Sequence, residues 1–156
     1  MATNTREIIN DFMGQKRLAI IGVSRDPRHF SRALFREFVK QGYDAIPVND
    51  KAEEIEGRKC YAHLRDISPP VEEVLLMTPF EEAAPVLRDA AGCGIRRAWV
   101  YRAAGKGAVD PEAVALCREK GIDLIEGYCP LMFLPNAQFV HRVHGFFLRL
   151  VGAYPA

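Results

Sequence analysis

The stretch that most constrains the fold is residues 17–31, RLAIIGVSRDPRHFS. Leu18-Ala19-Ile20-Ile21 is a continuous apolar run ending in Gly22. Such a run fits a strand buried on both faces of a parallel sheet. A polar turn, Val23-Ser24-Arg25-Asp26-Pro27, follows, and a helical pattern begins near Phe30. A strand, a glycine-bearing turn and a helix in this order commit the chain to a βα unit. In doubly wound folds the first such turn is where a nucleotide's phosphates are held.

The same alternation runs through the rest of the sequence. Residues 5–13 form an amphipathic helix with Ile8, Ile9, Phe12 and Met13 on one face and Asn4 or Thr5 as cap. Residues 31–41 place Leu34, Phe35, Phe38 and Val39 toward a sheet, and Gly42 supplies the stop. Strands are expected at 43–48, briefly at 59–61, and at 74–77, 96–101 and 122–125. A helix at 81–91 stops at Gly92. Another runs from Asp110-Pro111 to Lys120 and stops at Gly121. This pattern predicts an α/β, Rossmann-like, open and mostly parallel sheet with helices on both faces. The expected strand order is 3-2-1-4-5-6, with the short strand around Lys59 third. Its crevice would lie between the ends of the first and fourth strands, at residues 22–25 and 77–79. A tail at 136–150 carries Phe139, Val140, Val143, Phe146, Phe147 and Leu150 at helical spacing. It is either the last covering helix or a surface for a homo-oligomer.

At 156 residues the chain is expected to form one domain. A net charge of +1 gives no reason to expect nucleic acid or a membrane surface as partner. Cys60, Cys93, Cys117 and Cys129 form no CxxC pair and read as reduced thiols. The first fifteen residues lack the apolar core of a signal peptide, and no apolar run is long enough to cross a bilayer. The expected location is the cytoplasm.

A diphosphate needs several N–H donors and a backbone that can come close. Gly22 permits the approach, Val23 and the amides after it face the crevice, and Ser24 adds a hydroxyl. Arg25, Arg28 and Arg32 add positive charge, and the helix start adds its partial charge. Of the GxGxxG fingerprint only the first glycine is present, with Ser24 and Pro27 at the other two positions. A plain strand-to-helix turn therefore competes evenly with an anion site on local grounds. The second strand separates nucleotide types better. A dehydrogenase wants an acid at its end to hold ribose hydroxyls. Here the end is Val48-Asn49, with Asp50 one place later and Lys51 next. A neutral Asn49 with a nearby lysine suits a nucleotide with an extra ribose phosphate, such as coenzyme A or NADP. A solvated surface lysine is the competing reading of Lys51.

Gly22 through Pro27, Gly42-Tyr43 with Pro47-Val48-Asn49, and Gly57-Arg58-Lys59 together resemble the small stand-alone CoA-binding domain proteins. Their fold is similar to the N-terminal domain of the succinyl-CoA synthetase alpha subunit. The resemblance covers residues 17–129. It implies a nucleotide-type small-molecule ligand, coenzyme A or acyl-CoA. It places Gly22, Ser24 and Arg25 at the pyrophosphate, and Val48, Asn49 and Lys51 on the adenosine side. Thr78 and Pro79 would form the opposite wall, near the pantetheine arm. Trp99 matches a tryptophan often seen on the next strand. Ser31 stands where the family commonly has glycine, which would restrict the helix's approach to the phosphates.

Other groups carry weaker signals. His141 and His144 could share a metal, but packing-edge histidines are the simpler reading. Cys129 should sit on the carboxyl rim, where it could form a mixed disulfide with coenzyme A or be a buried structural thiol. Glu81 and Glu82 suit a helix start. His29 reads as an ordinary loop histidine, and residues 105–107 as a flap or a plain loop. Tyr101 and Arg102 could reach the crevice. The sequence shows no Ser-His-Asp set, carboxylate pair or metal site, and the resemblance implies a binding, sensing or delivery module for coenzyme A or acyl-CoA. The alternatives are an NAD(P)-dependent oxidoreductase and an interaction protein that has lost its ligand.

Overall fold

The computed structural model describes residues 5–101 and 110–135. Arg102, the loop at 103–107, the tail at 136–150, His141 and His144 lie outside them. The elements are α1 (Thr5–Gly14), β1 (Arg17–Ile21), α2 (Phe30–Lys40), β2 (Asp44–Val48), β3 (Glu54–Ile55) and β4 (Arg58–Lys59). There follow β5 (Glu73–Leu76), α3 (Ala83–Gly92), β6 (Arg97–Val100), α4 (Pro111–Lys120) and β7 (Asp123–Glu126). Single 3₁₀ turns lie at Leu64–Asp66, Phe80–Glu82 and Pro130–Phe133.

Five strands form one parallel sheet in the order β2-β1-β5-β6-β7. Their side chains alternate between two cores. Leu18, Ile20, Leu75, Trp99 and Ile125 pack with Ile9, Phe12, Leu34, Phe35 and Phe38 of α1 and α2. Ala19, Ile21, Val74, Leu76 and Val100 pack on the other face with Leu87 of α3 and Ala113 and Cys117 of α4. Both faces are covered, which is why the strands read as unbroken apolar runs. Phe12 meets Trp99 edge-to-face at 5.3 Å, and Trp99 Nε1 donates to the Tyr128 carbonyl at 3.0 Å. Trp99 is therefore a core anchor.

The third strand position differs from the expected order. Residues 58–59 pair antiparallel with 54–55 in a separate hairpin, and only a single parallel bridge, Val48↔Tyr61, joins the following chain to β2. The cause lies in the two-residue turn between them. Glu56 has φ 52° and Gly57 φ 73°, the double left-handed geometry that folds a chain straight back on itself. Likewise α3 runs through Gly92, and the left-handed residue beyond its end is Gly94 at φ 80°. No described helix is long and apolar enough to cross a membrane.

Candidate functional site

The sheet's connections diverge at β1. Its neighbours are β2 on one side and β5 on the other, so the switch point lies between the carboxyl ends of β1 and β5. Gly22 leaves β1 at φ 86°, and its amide donates to the Val48 carbonyl at 3.1 Å. A Cβ there would lie 3.1 Å from Thr78 Cγ2 and 3.2 Å from the Met77 carbonyl carbon. Glycine thus lets the two strand ends close against each other. Thr78 Oγ1 is buried there with no hydrogen-bond partner, and Pro79 is exposed beside it.

The loop from Gly22 to α2 is wired by its own short polar side chains. Ser24 Oγ accepts from the Asp26 amide at 3.1 Å, and Asp26 Oδ1 accepts from the Arg28 amide at 2.9 Å. These are two overlapping side-chain-closed turns. The Arg28 contacts hold the Asp26 carboxyl below its usual range. Buried Ser31 accepts from the Ser24 amide at 2.9 Å. Its own amide donates to His29 Nδ1 at 3.1 Å, and its hydroxyl lies 2.8 Å from that nitrogen. His29 is thereby the N-cap of α2, with Nδ1 as acceptor.

Four of the loop's carbonyls are held by side chains of neighbouring elements. Val23 O accepts from Asn49 Nδ2 at 2.9 Å. Ser24 O and Arg25 O both accept from Arg32 Nη1, at 3.2 and 3.1 Å, and Pro27 O accepts from Arg36 Nη2 at 2.6 Å. A peptide's N–H points opposite its C=O. Fixing the Ser24 carbonyl on Arg32 therefore turns the Arg25 amide away from Arg32. Neither that amide nor the exposed Arg25 guanidinium has a partner among the described residues.

The structure brings Gly22, Ser24, Arg25, Thr78 and Pro79 to one edge of the sheet. Val23 and Val48 lie there too, buried in the two cores. The Ser31 hydroxyl meets the Ser24 amide and His29 Nδ1. Arg28 is paired with Asp26 at 3.3 Å. Asn49 uses both ends of its side chain within the protein, on Val23 O and on the Lys51 amide at 2.8 Å. Lys51 is exposed and borders a hollow of about 630 Å³ that Asp50, Ala52, Glu53, Lys59, Cys60 and Ala62 also line. A second groove, of about 490 Å³, is floored by Ile21 and Val48 and walled by Leu64, Val86, Arg88 and Cys93. Phe30 is 39% exposed and lies 5.4 Å from the Tyr101 ring beyond the helix start. Cys129 is half-buried after β7, and burial pushes its thiol up, away from the reactive thiolate. Glu81 and Glu82 sit in the 3₁₀ turn before α3.

Sequence reasoning missed His29 as a cap, Lys59 beside Lys51, and the Arg36 and Glu56 contacts. A His-x-Ser pair at a helix start and a Glu-Gly pair between short β segments were the only local signals.

Three known proteins are similar to this chain. An uncharacterized protein, YneT, of Bacillus subtilis (strain 168) is 28% identical over 123 residues, covering 79% of this chain and 88% of that protein. The alpha subunit of acetate–CoA ligase [ADP-forming] II of Pyrococcus furiosus is 25% identical over 138 residues. The match covers 88% of this chain and only 30% of that subunit. A hypothetical protein from Pyrococcus horikoshii OT3 superposes with a TM-score of 0.72 at 26% identity, covering 83% of this chain and 88% of its own. Residues 16–135 match the family model described as a CoA binding domain, and the chain belongs to that family.

Proposed function

We propose that this protein is a non-catalytic module that binds coenzyme A, free or acylated, and senses or delivers it in the cytoplasm. The diphosphate lies at the turn after β1, against the Arg25 amide and guanidinium. The ribose phosphate lies toward Lys51 and Lys59, and the pantetheine arm passes Thr78 and Pro79. One observation carries the reading: the Val23, Ser24, Arg25 and Pro27 carbonyls are taken up by Asn49, Arg32 and Arg36, while the Arg25 donors have no partner among the described residues. An electronegative rim has been removed and a donor left unspent, which is what an anion requires. The ligase subunit of Pyrococcus furiosus spans far more chain than this one, so its name supports the ligand class and no transfer step.

Calorimetry with coenzyme A, dephospho-coenzyme A and NADPH tests the assignment. Coenzyme A should bind most tightly. Arg25→Glu should abolish binding in a protein that remains folded. Lys51→Ala should cost about 1.5–3 kcal/mol for coenzyme A and nothing for the dephospho form. NADPH binding more tightly than coenzyme A would overturn the reading in favour of an oxidoreductase.

A further inference from the structure

Two arginines hold three carbonyls of the anion loop, and both end on one carboxylate oxygen. Glu56 Oε1 accepts from Arg32 Nε at 2.9 Å and Nη2 at 2.5 Å, and from Arg36 Nε at 2.9 Å. The Arg32 side chain is 12% exposed, and all three of its nitrogens are engaged with Glu56 and the loop. It is a strut and not a free cation. Glu56 holds its place at φ 52°, a conformation unfavourable for any residue with a side chain. Arg32 and Arg36 keep its carboxyl below the usual carboxylate range, so it is charged at neutral pH.

We propose that Glu56, at the tip of the β3–β4 hairpin, is a positioning residue of the anion loop. Its carboxylate fixes Arg32 and Arg36. Through them it turns the Ser24, Arg25 and Pro27 carbonyls away from the ligand and the Arg25 amide toward it. The proposal rests on the reading of this turn as a diphosphate site. Without the carboxylate the two guanidiniums repel each other and lose their fixed geometry. The loop then has to be ordered by the ligand itself, which weakens binding. Because coupling is reciprocal, a bound diphosphate also steadies the hairpin. A carboxylate that merely competed with the ligand for Arg32 would act in the opposite sense, and its removal would tighten binding.

The test is calorimetry of the full chain with coenzyme A and dephospho-coenzyme A, for the parent, Glu56→Gln and Arg32→Lys, with thermal unfolding recorded for each. Failure of the parent to bind either compound would sink the diphosphate site itself and not this refinement. Given parent binding, Glu56→Gln should weaken both compounds by the same factor, roughly tenfold, with the unfolding midpoint kept. Equal losses place the effect at the diphosphate that the two compounds share. Should Glu56→Gln fail to fold, Arg32→Lys decides. It keeps the charge but not the fork onto two carbonyls, and should show the same equal loss. Parent-like or tighter binding in the folded variant, or a loss confined to coenzyme A, would overturn the proposal.

Discussion

Replacing Glu73 by glutamine asks whether a buried charge pair helps or hinders this fold. Glu73 opens β5 and is 0% exposed. Its Oε1 accepts from Arg97 Nη1 at 2.7 Å, while Glu73 Oε2 and Arg97 Nε are both buried without partners. Arg97 Nη2 also lies 3.6 Å from Asp11 of α1. Burial pushes the Glu73 carboxyl up from 4.5 to about 7, against the pull of Arg97. The folded protein therefore holds this proton more tightly than the unfolded chain does. That stabilisation is complete below about pH 4.5 and is lost as pH rises through about 7. At about 1.4 kcal/mol per unit the full swing is about 3.5 kcal/mol. Glutamine has the same shape and does not titrate, and Arg97 keeps Asp11 when it is introduced. Glu73→Gln should thus gain on the parent by most of that amount between pH 5 and pH 8. Urea unfolding, followed through the fluorescence of the single tryptophan, Trp99, measures the difference. A difference that stays constant over this window would refute the reasoning. So would a parent that gains on the variant as pH rises, since attraction to Arg97 would then outweigh the desolvation of the carboxylate.

Two further substitutions probe the switch point and the α1 contact. Gly22→Ala adds a Cβ 3.1 Å from Thr78 Cγ2 at φ 86°; it should cost about 2–4 kcal/mol in urea unfolding and weaken coenzyme A binding as well. An alanine that leaves both unchanged would show that the β1 and β5 ends do not close here. Phe12→Ala empties the site facing the Trp99 ring; it should cost about 3–5 kcal/mol and shift tryptophan emission to the red. Unchanged emission would mean that α1 does not cover Trp99.

The sheet was legible because its strands are apolar on both faces: all five lie within one residue of where the apolar runs placed them, and Asp110 and Gly121 bound α4 as read. The β3–β4 hairpin was not legible. Each of its strands is two residues long, and its reversal depends on a glutamate at φ 52°. Nothing adjacent in sequence favours that conformation; the groups that meet it, Arg32 and Arg36, lie 24 and 20 residues away. The same limit applied at the site. The position of the turn after β1 followed from strand, glycine and helix, but the duties of its polar side chains did not. Ser31 closes the loop on the Ser24 amide, and Asn49 holds Val23 and the Lys51 amide, contacts that their place in the sequence does not announce. A serine or asparagine beside a turn can serve the chain or a ligand equally well, and its identity does not say which. The distinction comes from exhausting the internal bonds first. Once Ser24, Asp26, Ser31, Arg32, Arg36 and Asn49 have been assigned to internal bonds, Arg25 keeps an amide and an exposed guanidinium with no partner among the described residues. On the proposed reading, that residue is therefore where substitution separates ligand capture from folding.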